Sequence, residues 1–64
     1  MKTLKIIYYR RKVKEAVAYA KYWGDKAIAS LPNMEKWTAC IDHMMYWLGK
    51  SIEYAVSANK ELES

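Results

Sequence analysis

The chain has 64 residues, a net charge of +4 and a hydrophobic fraction of 53%, with three tryptophans and six tyrosines. This composition excludes intrinsic disorder, because disordered chains contain too few hydrophobic residues to offset the entropy lost on folding. A single cysteine excludes an intrachain disulfide, and together with a single histidine it leaves too few soft ligands for a structural zinc. A domain of this size buries only about 60% of its unfolded surface, so we expect self-association or a partner to complete its stability.

The longest runs without a formal charge are residues 27–34 and 43–49, far short of the ~20 apolar residues that span a bilayer. The lysines near the start are not followed by the apolar segment of a signal peptide. A lone thiol is typical of the cytoplasm. We therefore expect one small helical domain over residues 1–64, cytoplasmic and without a transmembrane segment.

The positive charge is concentrated in the first half of the chain. Residues 1–29 contain eight basic and two acidic side chains, whereas residues 30–64 contain three basic and five acidic ones. The first half is therefore the part of the chain that attracts negatively charged partners.

The first predicted element is a helix over about residues 4–30. Apolar residues recur along it at steps of three or four, as one face of a helix requires, and these are Ile6, Tyr9, Val13, Ala16, Val17, Ala20, Trp23, Ala27 and Leu31. The β-branched and aromatic residues of segment 3–9 leave a strand as the alternative for that segment. In a strand, alternate side chains point to opposite faces, and neither face of this segment would be consistently polar. The helix is therefore favoured.

Gly24 interrupts the first helix with a residue that costs about 1 kcal/mol relative to Ala. It marks a bend, a close approach of two helices, or a C-terminal cap with Asp25 starting a further segment. The apolar stripe keeps its phase across Gly24, which favours one helix.

A turn is predicted around Leu31-Pro32-Asn33, with Asn33 or Ser30 as the N-cap of a second helix over about residues 34–62. This helix has the strongest periodicity in the chain. Its stripe consists of Met34, Trp37, Ile41, Met44, Leu48, Ile52, Ala55, Asn59 and Leu62. The fold class is therefore all-α, an antiparallel helical hairpin.

The apolar arc of the second helix extends past this stripe and spans about 200° at 3.6 residues per turn. One neighbouring helix cannot cover it, so we expect a homodimer that forms a four-helix bundle. The residues predicted at the dimer interface are Cys40, Trp47 and Tyr54.

The first helix carries a second face on which tyrosines alternate with charged residues. Tyr and Arg are enriched at binding hot spots, so this face is predicted to bind a protein partner. Its residues are Tyr8, Arg11, Lys12, Tyr19, Tyr22 and Lys26. Attachment to a membrane surface is disfavoured, because the apolar stripe contains small alanines suited to helix packing.

Cys40, Asp42 and His43 form the one cluster that suggests chemistry, but their spacing shows neither a third orienting group nor a pocket. We interpret Cys40 as half-buried and His43 as a surface residue, and expect a non-enzyme without cofactor or metal.

The leading hypothesis is a small helical interaction protein, an inhibitor or adaptor of the compact basic style found in phage-like genomes. The alternative is nucleic-acid binding, in one of two forms. Either the basic helix contacts phosphates, or residues 3–9 form the strand of a ribbon-helix-helix dimer. The residues assigned to nucleic acid are Lys5, Arg10, Arg11, Lys12 and Lys14.

Overall fold

The computed structural model describes residues 2–63 as two long α-helices, α1 (Lys2–Ser30) and α2 (Met34–Glu63). The helices pack side by side in opposite directions, so that Lys5 near the start of α1 meets Glu61 near the end of α2. The hairpin measures 48 × 13 × 10 Å. The predicted all-α hairpin and its helix bounds are confirmed, while Met1 and Ser64 of the predicted domain lie outside the described residues.

Segment 3–9 is helical and belongs to α1. The strand alternative is therefore wrong, and with it the ribbon-helix-helix form of the nucleic-acid hypothesis. The physical reason is the unbroken stripe, which brings Tyr9 onto the side of α1 that faces α2, where its ring lies 6.5 Å from that of Tyr54.

Gly24 lies within α1 and does not break it. A Cβ atom at this position would lie 3.3 Å from the Sδ atom of Met44 on α2. Of the three roles considered for Gly24, the structure shows the close approach of two helices.

The centre of the hairpin is built from small side chains. The buried residues among those described are Ala16, Ala20 and Ala27 of α1 and Ser51 of α2, which is 9% exposed. Alanines let two helices approach closely, and larger side chains are then displaced to the flanks of the contact. No large side chain anywhere in residues 3–63 is fully buried.

This alanine contact changes which residues of α2 are covered. Leu48 and Ile52 belong to the predicted core stripe of the second helix, yet they are 42% and 64% exposed. The expectation that they are buried is wrong, and it is also wrong for Met34 and Leu62 of the same stripe, which are 60% and 64% exposed. Instead α2 turns Met44 toward Gly24 of α1 and buries Ser51.

The turn at residues 31–33 includes a cis Leu31–Pro32 peptide bond. Asn33 is the N-cap of α2, since its Oδ1 accepts a hydrogen bond from the Lys36 amide at 3.1 Å. The Ser30 hydroxyl instead donates back to the Lys26 carbonyl at 2.7 Å. Of the two candidate caps, Asn33 is the one used.

Candidate interaction surfaces

The hairpin has two broad faces on either side of its alanine contact. We call one the apolar groove; it runs between the helices and is lined by Val17, Gly24, Ile28, Trp37, Ile41, Met44 and Leu48, and toward the open end by Ile6, Val13, Ala55 and Leu62. We call the other the aromatic face; it consists of Tyr8, Tyr9, Tyr19, Tyr22, Trp23, His43, Tyr46, Trp47 and Tyr54.

Ring contacts join the two helices in the middle of the aromatic face. Tyr19 lies 4.6 Å from Trp47 between ring centroids, and Trp23 stacks on His43 at 4.4 Å and 23°. Tyr22 meets the Trp23 ring edge-on at 5.3 Å. These contacts hold the rings in place while Tyr19 and Tyr22 each remain 50% exposed.

The residues predicted at the dimer interface lie on this same aromatic face. Trp47 and Tyr54 are half-buried, and their rings contact Tyr19 and Tyr9 of the same chain. Cys40 is also half-buried, as expected, with its Sγ atom 3.9 Å from the Ser30 hydroxyl. The residues assigned to self-association and those assigned to a partner therefore share one surface.

Five of the six predicted partner-binding residues are brought to this face. Lys12 lies 5.6 Å over the Tyr8 ring, and Lys26 lies 5.2 Å over the Tyr22 ring. A hydrogen bond to Tyr22 raises the pKa of the fully exposed Lys26 above its ordinary value of 10.5, so this lysine stays charged. Arg11 is the exception.

Arg11 lines a shallow hollow with Ile7, Arg10 and Lys14. This basic cluster contains three of the five residues assigned to nucleic acid. The other two are already near carboxylates, Lys5 at 3.9 Å from Glu61 and Lys12 at 3.6 Å from Glu15. The five residues predicted to bind nucleic acid therefore fall into two groups: three that form the basic cluster and two that lie near carboxylates.

Sequence reasoning missed the apolar groove, because it assigned those stripes to the interior of the hairpin. Ile28 is 71% exposed, and Ile52, at 64%, lies one helical turn from Leu48 and Ala55, which both line the groove. A signal was present in the spacing of small residues at positions 16, 20, 24 and 27, which marks the line of closest helix approach.

Between residues 2 and 63, no group of three or more His, Cys, Asp or Glu side chains is arranged to hold a metal ion. Neither helix, over the same range, has the length and hydropathy needed to cross a bilayer. His43 stacks on Trp23, and Cys40 adjoins Ser30. No protein-family model, curated protein or solved structure matches the chain.

Proposed function

We propose that this chain is a helical interaction protein that self-associates and that acts on a protein partner as an inhibitor or adaptor. The partner binds to the aromatic face. One observation carries the proposal. Among the described residues, fifteen large hydrophobic side chains are exposed, whereas the buried set consists of three alanines and one serine. Burying one large apolar side chain contributes roughly 1.5–3 kcal/mol, so covering even a few of them stabilises the hairpin substantially.

The surface area supports the need for a partner. The hairpin exposes 5087 Å². A compact monomer of this mass is expected to expose about 4,200 Å². The difference follows from the elongated shape, which leaves one helix to cover only one side of the other.

The aromatic face has the properties of a protein-binding surface. Tyrosine and tryptophan are the residue types that dominate interface hot spots. Their rings are already ordered by contacts such as Tyr19 to Trp47, so little side-chain entropy is lost on binding. Lys12 and Lys26 add positive charge at the edges of the rings, which favours an acidic partner surface.

The proposal is tested by affinity capture from a host-cell lysate, in which the proteins retained by the wild type are compared with those retained by Tyr19→Ala/Tyr22→Ala. The matched control is Ile7→Ala, which removes an apolar side chain that is 49% exposed and lies in the hollow with Arg10, outside the aromatic face. We expect a specific protein to be retained by the wild type and by the control and lost by the double variant. Equal retention by all three proteins contradicts the assignment of this face. Circular dichroism verifies that each variant is helical.

Nucleic-acid binding through α1 is the second candidate function, and the basic cluster favours it. Arg10, Arg11 and Lys14 share one hollow and take part in none of the ion pairs found among the described residues. Three phosphate contacts predict an affinity that falls steeply with added salt. Failure to bind duplex DNA or single-stranded RNA even at low salt eliminates this candidate, as does unchanged binding by Arg10→Ala/Arg11→Ala.

A further inference from the structure

We infer that the apolar groove, and not the aromatic face, is the surface that joins two copies of this chain. In this dimer α1 of each copy lies across α2 of the other, and both turns are at the same end. The inference rests on the self-association proposed above and adds its surface and geometry. It also leaves the aromatic face open to a partner.

The groove is the better surface for a second copy because large aliphatic side chains along its edges are exposed. Ile28 and Ile52 are 71% and 64% exposed, whereas Trp47 and Tyr54 are already half-buried against α1. Two hollows of about 480 and 490 Å³ lie along the groove, with mostly apolar linings. Side chains from an identical groove match them in length and chemistry.

The available area is sufficient for a stable dimer. The Cα atoms alone span 48 × 13 Å over one face of the hairpin. This footprint is roughly 600 Å² per copy before side chains are added, so two copies bury more than the ~1,000 Å² expected of a specific interface.

Charge selects between the two symmetric ways of stacking these faces. The charged side chains that line the groove all belong to α1 and are mostly basic, namely Arg10, Lys14, Lys21 and the acidic Asp25. A twofold axis across the helices places α1 on α1, so the two basic borders meet and repel. A twofold axis along the helices places α1, with eight basic and two acidic residues, on α2, with three basic and five acidic.

The α2 residues that line the groove are uncharged, so an axis along the helices keeps the two basic borders of α1 apart. The same axis keeps the two turns together at one end. The stems of the border lysines then lie along apolar residues of α2 in the second copy, and their ammonium groups stay in solvent.

The surface is tested by analytical ultracentrifugation of Ile52→Lys, with Tyr46→Lys and Tyr22→Lys as comparisons. Ile52 is exposed in the hairpin, so lysine there leaves the single chain folded but places a charge inside the proposed interface. We expect dimerisation roughly 100-fold weaker for Ile52→Lys and near the wild-type value for the other two. Helical content by circular dichroism, and the same result for Ile28→Lys, separate interface loss from unfolding.

The alternative outcomes are distinct. A dimer that survives Ile52→Lys and is lost with Tyr22→Lys overturns the groove and returns the interface to the aromatic face, while self-association stands. A wild-type protein that sediments as a monomer at micromolar concentration overturns self-association itself.

The geometry is tested by spin-label distances at Glu35→Cys in a Cys40→Ser background, because Glu35 is exposed beside the turn. Glu35 lies about 14 residues from the middle of α2, or about 20 Å at 1.5 Å per residue. Turns at opposite ends therefore separate the labels by about 40 Å or more along the axis. We expect a shorter distance, below about 30 Å, set by the width of a four-helix bundle with 8–10 Å between axes. A distance above about 30 Å overturns the proposed arrangement.

Discussion

Alanine and glycine decide how the two helices of this hairpin meet. Ala16, Ala20 and Ala27 are almost completely buried, and Gly24 lies on the same side, near Met44. Because these residues have little or no side chain, the backbones themselves come close. A larger residue at one of these positions has no room unless the helices move apart.

We predict that Ala20→Leu destabilises the protein by about 1–3 kcal/mol, because Ala20 is 3% exposed and extra methyl groups force the helices apart. The matched control is Ala18→Leu, since Ala18 is exposed on the same helix. Chemical denaturation measures both. Equal effects of the two substitutions argue against a close alanine contact.

The two glycines offer a second comparison. A Cβ at Gly49 meets nothing within 4 Å, whereas one at Gly24 lies 3.3 Å from the Met44 sulfur. We predict that Gly49→Ala stabilises the protein by about 1 kcal/mol and that Gly24→Ala stabilises it less, because Met44 must shift. Denaturation midpoints test this order, and a larger gain at Gly24 contradicts the close approach. In a Met44→Ala background the difference between the two substitutions is expected to shrink.

At the scale of the elements, α2 begins at a defined cap and α1 ends just before a proline. Asn33 accepts the Lys36 amide through its side chain and the Trp37 amide, at 2.9 Å, through its carbonyl. Glu35 in the first turn adds a favourable charge at the positive end of the helix dipole. These interactions explain why the predicted and observed starts of α2 coincide.

We predict that Asn33→Ala lowers the free energy of unfolding by about 1 kcal/mol, because the Lys36 amide loses its acceptor. Asn33→Asp keeps an oxygen at the same position and is expected to retain most of the stability. Thermal denaturation followed by circular dichroism compares the three proteins. If Asp destabilises as much as Ala, the cap is not the source of the effect.

On the scale of the whole molecule, the hairpin is too elongated to be self-sufficient. Its radius of gyration is 14.7 Å. A compact chain of the same length is expected to have about 10.7 Å. An extended two-helix layer leaves a broad surface on either side of its single contact, and both surfaces here contain large apolar or aromatic side chains.

Self-association predicts that the unfolding midpoint rises with protein concentration. For a dimer that unfolds to monomers, about a hundredfold increase in concentration stabilises the folded state by about 2.7 kcal/mol per dimer. We expect this dependence in the wild type and in Tyr46→Lys, and its loss in Ile52→Lys. A midpoint independent of concentration in the wild type contradicts the dimer.

The amino-acid sequence by itself determined the uneven charge, and it predicted the two helices and their approximate bounds because helix formation depends on neighbours in the chain. It left Asn33 and Ser30 as alternative caps of the second helix. It also indicated more apolar surface than one hairpin covers. Only the tertiary structure decided which part of that surface is covered, since a 200° apolar arc permits several rotations of one helix against another. The close approach at the alanines and Gly24 selected one rotation, which leaves Leu48 and Ile52 exposed and draws Trp47 and Tyr54 against the tyrosines of α1.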